Sequence, residues 1–338
     1  MTLAEQVGLE NNRKRAQLLR EAVHFDPGFL LAWGDLADEL DSLALYSQSG
    51  AAELGGSQAP LLHEEAVRAR ARVLALAPKS WMALRIRSEQ LANEKRWAES
   101  IEVARQILET GPFTLERAYP YISVIFVVGR IDETIELVER VIRLEPLAIY
   151  PSRDQQWNLF AGRRYRETDA EYRRSRDFEG SHLQPDFIAL LRALGQAPSS
   201  RPALRAAYDQ FQSNYPENER SGFITGLGPL LDARAALRAL VRKVIEERRP
   251  GFEDAYPVAD AVGEPDLALA SVHAFLEAPF NQGFRKYWNV WLMPYSSVRT
   301  LPGFKALLRE MGVVDYWRQT GKWGDFCRPV GADDFECR

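Results

Sequence analysis

The chain of 338 residues contains little cysteine and little histidine, with two and four residues respectively. The two thiols, Cys327 and Cys337, are too few for a disulfide framework, and no histidine lies at metal-ligand spacing from either. We therefore expect neither a metal nor a cofactor. Free thiols are the simpler expectation for the two cysteines, and a single disulfide in an oxidising compartment is the alternative.

Long apolar runs and a strong charge bias are also missing. No stretch of about 18 apolar residues occurs, which predicts no membrane-spanning helix. Residues 1–15 are polar and lack the apolar core of a secretion signal. The formal net charge is −4, and no concentrated basic face is present that would hold nucleic acid. These features favour a cytoplasmic protein that binds neither a membrane nor nucleic acid directly.

Signatures of catalysis are absent as well. The sequence has no Gly-x-x-x-x-Gly-Lys-Ser/Thr phosphate loop, and Gly226-Leu227-Gly228 lacks the rest of a dinucleotide fingerprint. His63 is not followed by a second histidine four residues later, so no zinc-protease motif forms. A Gly-x-Ser-x-Gly elbow is likewise missing. We expect a protein that is not an enzyme, and a site assembled from distant residues is the remaining enzymatic alternative.

What the sequence does contain is a regular spacing of prolines. Pro78, Pro112 and Pro146 follow one another at equal intervals along the chain. Pro27 precedes Pro78 by one such interval plus an insertion of half its length. Because a proline ends a helix and the residue before it avoids the helical conformation, this spacing predicts repeated helix pairs.

Apolar residues between these prolines recur at helical spacing. The first unit, counted from Leu30, carries apolar residues at positions 4, 7, 8 and 11, namely Trp33, Leu36, Ala37 and Leu40. Gly129 falls at position 15 of a later unit, where a left-handed residue can join two helices. The pattern predicts helix–turn–helix units whose length equals the interval between the prolines.

This interval, about 34 residues, and the apolar pattern resemble those of the tetratricopeptide repeat (TPR) family over residues 12–180. The final segment, from Pro302 through Trp323 to Cys327, is similar to the end of the repeat region in bacterial multidomain regulators. In those proteins a winged-helix DNA-binding domain or a nucleotide cyclase domain precedes the repeats. The resemblance implies a sensory or interaction half. Since this sequence contains neither effector domain, DNA binding and cyclase activity do not carry over.

The resemblance implies an all-α fold, a right-handed superhelical solenoid of antiparallel helix pairs. Residues 1–182 are predicted to form a regular array, interrupted by a Ser- and Gly-rich insertion loop at 47–60. Residues 183–300 are predicted to form degenerate helical hairpins. Residues 301–338 are predicted to form a capping helix and an aromatic tail, because a solenoid must cover its last apolar face.

In this family the first helices of successive units line a concave groove. Transferred to this sequence, the predicted partner-binding residues are Asp38, Arg85, Glu89, Asn93, Tyr119, Ser123, Arg153 and Trp157. Arginine and aromatic side chains are frequent anchors of protein interfaces. Asp38 and Glu89 occupy positions where some members place an asparagine that holds the terminal carboxylate of a peptide, so we do not expect that binding mode.

The leading functional expectation is a non-catalytic scaffold that binds a protein or peptide in this groove. The alternative is a ligand-sensing or regulatory module of a bacterial signalling or transcription system, acting with a separate effector domain. Counted back from Leu30 by one repeat, the preceding unit would begin before Met1. An apolar flank is therefore expected at the N-terminal end, where an upstream domain or a second copy of the chain would cover it. Homo-oligomerisation through this end is thus one expectation.

Overall fold

The structure is a computed structural model that describes residues 9–48, 58–175, 183–196, 201–214, 226–247, 255–277, 283–292 and 296–338. Within these ranges it contains 17 α-helices and one two-stranded sheet. The predicted all-α class is confirmed, with the small sheet as an addition. The described residues divide into two compact units, the first within Met1–Tyr121 and Pro279–Gly283, the second within Ile122–Ala278 and Phe284–Arg338.

Six helices cover the first part of the chain, and the last of them crosses from the first unit into the second. They are α1 (Leu9–Phe25), α2 (Leu30–Gln48), α3 (Ala59–Leu76), α4 (Trp81–Asn93), α5 (Trp97–Glu109) and α6 (Leu115–Val127). Consecutive helices pack against one another, α1 on α2, α2 on α3 and α4 on α5.

The second unit contains the remaining helices and the sheet. The helices are α7 (Ile131–Leu144), α8 (Ile149–Ala161), α9 (Tyr165–Ser175), α10 (Leu183–Gln196), α11 (Arg201–Asn214), α12 (Arg234–Glu246), α13 (Ala255–Ala261), α14 (Pro265–Glu277), α15 (Ser296–Arg299), α16 (Pro302–Glu310) and α17 (Val313–Thr320). Two 3₁₀ segments, Gly228–Leu230 and Phe284–Val290, lie among them. Packing is again mostly between consecutive helices, although α10 also contacts α8 and α13.

Three consecutive hairpins repeat with the predicted period. Their first helices α4, α6 and α8 begin at Trp81, Leu115 and Ile149, at the same interval as the prolines. Their second helices α5, α7 and α9 begin at Trp97, Ile131 and Tyr165, and keep this interval as well. The predicted spacing of the helix starts is therefore confirmed over this stretch.

The same turn joins the two helices of each pair. Its central residue has a positive φ in all three hairpins, 60° at Lys95, 83° at Gly129 and 60° at Arg163. The following amide then donates to a carbonyl five residues earlier, as Arg130 does to Ile125. This bond closes the end of the first helix by satisfying a carbonyl that the helix itself leaves free. Gly263, with φ of 82°, makes the same turn between α13 and α14.

Trp33 packs against two hydrophobic clusters of the first unit. One cluster lies among α1, α2 and α3 and includes the fully buried Ala16 and Leu36. The other lies between α3 and α4 and includes Met82 and Ile86. Small residues facing large ones allow helix axes to approach closely, so the Trp at position 4 packs between pairs as its place in the pattern predicts.

The predicted insertion loop at 47–60 is helical at both of its ends. Helix α2 continues to Gln48 and α3 begins at Ala59. Leu43 and Ala44 are buried and extend the apolar face of α2 beyond the length expected for one repeat. Pro60 lies in the first turn of α3, where proline favours helix initiation. The loop prediction is wrong at these ends, and residues 49–57 lie outside the described residues.

The C-terminal segment forms a β-hairpin that the sequence reading missed. Strand β1 (Cys327–Val330) pairs antiparallel with β2 (Asp334–Cys337). The register places Cys327 directly opposite Cys337, and a disulfide joins them. The expectation of free thiols is therefore wrong, because the strand pairing brings together two residues that the sequence separates by ten positions.

Candidate functional site

Helices α2 and α4 bring three of the predicted groove residues together in the first unit. The Arg85 guanidinium donates from Nη1 to Oδ2 of Asp38 over 2.6 Å. Glu89 follows Arg85 by one helical turn, and its charge acts on the same guanidinium. Only 16% of the Arg85 side chain is exposed, against 47% of Asp38. The arginine therefore anchors the arrangement, and Asp38 faces the solvent.

Gly34 allows this close approach of α2 and α4. A Cβ atom at Gly34 would lie 1.8 Å from Cε of Met82 and 3.9 Å from Nη2 of Arg85. No side chain fits at the first of these distances, so any larger residue would force Met82 or a helix to move. Gly34 thus leaves the space that the end of the Met82 side chain occupies between α2 and α4.

Acidic residues outnumber the single arginine in this cluster. Burial by itself lowers the pKa of Arg85, but the charges of Asp38 and Glu89 outweigh it and raise the pKa above its ordinary value. The ionised form of Asp35 is disfavoured, because desolvation, followed by the charge of Asp38, raises its pKa. Glu116 at the start of α6 adds to that effect. The surface is therefore net negative around one buried cation.

The next two predicted residues also belong to the first unit. Asn93 is exposed at the end of α4, and Gly283 passes near it, since a Cβ atom there would lie 3.4 Å from Oδ1 of Asn93. Tyr119 is half-buried on α6. These positions are consistent with a polar surface that continues from Arg85 to the end of α4.

Ser123 is placed differently from what a groove residue requires. It is fully buried on α6, and its carbonyl accepts a hydrogen bond of 3.0 Å from Nε1 of Trp288. Trp288 belongs to the 3₁₀ segment Phe284–Val290 and also packs edge-on against Phe126. In the second unit the chain itself thus covers this part of α6, and a partner would not reach Ser123.

Three tryptophans bond to the last part of α6. Besides Trp288, Trp291 donates from Nε1 to the carbonyl of Val127 at 2.9 Å, and Trp317 donates to that of Val128 at 2.8 Å. Carbonyls at the end of a helix have no partner within the helix. Indole N–H groups of Trp291 and Trp317, from a distant part of the sequence, satisfy the carbonyls of Val127 and Val128 here.

Asp325 caps the helix on the other side of the same turn. Its Oδ2 accepts a hydrogen bond of 2.8 Å from the amide of Asp132, in the first turn of α7. Its own amide donates to the carbonyl of Gly129. Burial raises the pKa of Asp325, and the bond from Asp132 opposes that rise. The C-terminal segment therefore caps both helix ends at the α6–α7 turn.

Arg153 and Trp157 lie on α8 and make aromatic contacts. The guanidinium of Arg153 is 4.9 Å from the centroid of the Tyr150 ring. Trp157 packs edge-on against Phe160 and Phe187, with centroid distances of 5.9 and 6.4 Å. Trp157 thereby links α8 to α10, which gives it a packing role within the second unit.

The first unit also has a shallow cavity of about 380 Å³ among α1, α2 and α3. Its walls include Val23, Pro27 and Trp33, and Arg20 and Glu65 lie at its edge. These two charged residues already pair with one another through two hydrogen bonds of 2.6 and 2.7 Å. The surface of the cavity that remains for a ligand is therefore mainly apolar.

Large apolar side chains are exposed on the same three helices and on the turn between α1 and α2. The most exposed is Phe25, at 84%. The others in this region are Leu18, Phe29, Leu31, Leu61 and Val67. They lie where the sequence predicts an uncovered flank, and self-association through this end stays a prediction.

No group of three or more His, Cys, Asp and Glu side chains that could hold a metal ion occurs among the described residues. Nor does any described helix combine the length and apolar character that crossing a membrane requires.

Sequence analysis did not identify Asp35 or the three tryptophan bonds to α6. Asp35 directly follows Gly34, and this glycine inside a helix is the one local signal of a close contact. The three tryptophan bonds to α6 left no local signal, because their partners are distant in sequence. Comparison with protein-family models, with curated proteins and with solved structures gives no match to this chain.

Proposed function

We propose that the chain is a non-catalytic, TPR-like scaffold that binds a protein or peptide on the inner faces of its first helices. The evenly repeated helix pairs between Trp81 and Ser175 support the repeat part of this proposal. The residues on α2 and α4 support the binding part.

The cluster around Arg85 is the observation that carries the proposal. Its members come from separate helices and were selected from repeat positions alone, yet Asp38, Arg85 and Glu89 act on one another in the structure. A polar, partly exposed cluster beside the exposed Asn93 offers charged groups with fixed orientation. Such groups confer specificity and steer encounter with a partner of complementary charge.

A capture experiment with charge variants on α4 tests the proposal. The chain is immobilised, partners are captured from cells that produce it, and Asn93→Glu is compared with the unaltered chain. Asn93 is exposed, so the change should leave folding intact while adding a charge to the surface. We expect a stoichiometric partner to bind the unaltered chain and to lose at least about tenfold in affinity for the variant.

Arg87→Glu is the matched control, since it places the same residue on the same helix about 200° around the axis from Arg85. This variant should retain the partner. Equal loss in both variants, or equal retention in both, would contradict binding on the Arg85 face. The circular dichroism spectrum and melting temperature of each variant check that the fold is unchanged.

A further inference from the structure

Two arginines lie against one aromatic ring inside the second unit. Arg299, at the end of α15, has 0% of its surface exposed, and Arg163 in the α8–α9 turn is half-buried. Their guanidinium carbons lie 3.6 Å and 5.3 Å from the ring centroid of Phe326. Two positive charges are therefore held close together in a region with little access to water.

One acidic residue, the buried Asp260 at the end of α13, acts on Arg299 through its charge. The nearby Arg192 is already paired with Asp169. Burial, and after it the charge of Arg163, lowers the pKa of Arg299 to about 9, so its guanidinium is still protonated at neutral pH. The cluster keeps a net positive charge.

The neighbouring Tyr165 would add a negative charge only if its hydroxyl were ionised. Tyr165 begins α9, and the charges of Arg163 and Arg299 act on its hydroxyl. Burial raises the pKa of Tyr165 above its ordinary value all the same. The phenol is therefore neutral at physiological pH and leaves the net positive charge of the cluster unchanged.

The edge of the Arg163 guanidinium has the geometry that binds oxyanions. Its Nε and Nη2 atoms are buried, and neither has a hydrogen-bond acceptor among the described residues. The same pair of atoms holds a carboxylate at several other arginines of this chain, and two of them serve as examples. Arg15 holds Glu39 with bonds of 2.7 and 3.1 Å, and Arg20 holds Glu65 with bonds of 2.7 and 2.6 Å. Two parallel N–H groups match two oxygens of a carboxylate or phosphate group.

We infer that Arg163 and Arg299 form an anion site that takes an oxyanion, a carboxylate or a phosphate group, on the Nε–Nη2 edge of Arg163. Arg299 adds electrostatic attraction from the buried side, where the low dielectric strengthens it. A buried polar edge with no partner is costly unless an ion or water satisfies it, and an anion would also balance the charge. This site lies in the second unit and does not depend on the proposed partner surface around Arg85.

Thermal unfolding in different sodium salts tests the site. Phosphate and acetate are each compared with chloride at equal ionic strength and pH, and isothermal titration measures binding directly. We expect the melting temperature to rise saturably, by roughly 3–5 °C at about ten times the dissociation constant. A rise with phosphate alone would identify a tetrahedral oxyanion, and a rise with both salts would extend the site to carboxylates. No rise with either, together with no heat of binding, would overturn the inference.

Variants at the repeated turn provide the matched controls. Arg163→Gly removes the guanidinium, and its backbone suits the turn because Gly129 and Gly263 occupy the equivalent positions. This variant should fold and lose the anion-dependent rise. Lys95→Gly makes the corresponding change in another hairpin and should keep the whole rise. A rise that persists in Arg163→Gly would overturn the site.

Arg163→Lys separates the bidentate edge from simple charge. Lysine keeps the positive charge but cannot present two parallel N–H groups. The anion-dependent rise should fall by at least half in this variant. An undiminished rise would contradict binding through the Nε–Nη2 edge and would indicate a general response to positive charge.

Discussion

The α4–α5 turn and the α6–α7 turn have the same backbone but very different surroundings. Lys95 and Gly129 both take a positive φ, and the same pattern of amide–carbonyl bonds closes both turns. Lys95 is exposed. Gly129 is buried, and a Cβ atom there would lie 2.8 Å from Cζ2 of Trp291 and 3.3 Å from Cα of Gly324. The local sequence thus determines the backbone of the turn, and packing against Trp291 and Gly324 determines which residue fits at its centre.

The same contrast extends to the helices that carry the predicted partner-binding residues. Glu89 on α4 and Ser123 on α6 occupy equivalent positions in successive repeats. Glu89 is half-buried beside Arg85, whereas Ser123 is fully buried and its carbonyl accepts from Trp288. A repeat position therefore indicates which way a side chain faces, but not whether the rest of the chain already covers it.

Removing Trp317 should produce the largest effect on the covered turn. Trp317 is fully buried, packs against Trp291 and donates to the carbonyl of Val128. Trp317→Ala should lower the free energy of unfolding by about 3–5 kcal/mol, measured by urea denaturation. Trp81→Ala, at a half-buried tryptophan in the first unit, is the comparison and should cost less. Equal losses would mean that the tail contributes no more than an ordinary surface contact.

Alanine at the two turn positions sharpens the comparison directly. Gly129→Ala must adopt a left-handed conformation and displace Trp291, so we expect a loss of about 2–4 kcal/mol. In Lys95→Ala, one residue with a Cβ atom replaces another at the same exposed position. The strain of the positive φ is therefore unchanged, and the free energy of unfolding should change by no more than about 0.5 kcal/mol. Urea unfolding of both variants measures the difference. Similar values for the two variants would show that Trp291 and Gly324 do not restrict the residue at position 129.

Much of the hairpin array could be predicted from the sequence, because its signals are local. The proline spacing and Gly129 report helix ends and turns, and both depend on residues within one unit. The covering of α6 could not be predicted in this way. Trp291 and Trp317 bond to Val127 and Val128 from a distant part of the chain, and no spacing in the sequence encodes that contact.

The site was predictable to a similar, limited extent. Repeat positions identified Asp38, Arg85 and Glu89, because helical periodicity fixes which residues share a face. The same rule selected Ser123, which the chain's own 3₁₀ segment covers. Pairing of the two cysteines also lay beyond the pattern, since it follows from the register of a β-hairpin at the chain end.

The smallest expected effect concerns the open surface of the first unit. Asp35 is exposed, yet partial desolvation and the charge of Asp38 raise its pKa, so its ionised form carries a small, solvent-screened cost in stability at neutral pH. Asp35→Asn removes that cost and should raise the free energy of unfolding at pH 7 by about 0.5 kcal/mol. The gain should vanish as the pH falls below about 4, the ordinary pKa of aspartate, because the carboxyl is then protonated in the folded and the unfolded chain alike.

Asp38→Asn is the matched control for this prediction. The variant weakens the ion pair with Arg85, so it should lower stability at pH 7 where Asp35→Asn raises it. Urea unfolding at several pH values follows both. A destabilised Asp35→Asn protein at pH 7 would contradict the assignment of electrostatic stress to Asp35.

Hydrogen exchange of the intact chain, followed by mass spectrometry, tests most directly whether the C-terminal segment and the α6–α7 turn form one cooperative structure. Peptides covering residues 123–132 and 313–320 should become exchangeable with the same free energy of opening, because the tryptophan and Asp325 bonds break together. Exchange of residues 313–320 through a much less costly opening, with residues 123–132 still protected, would contradict the account.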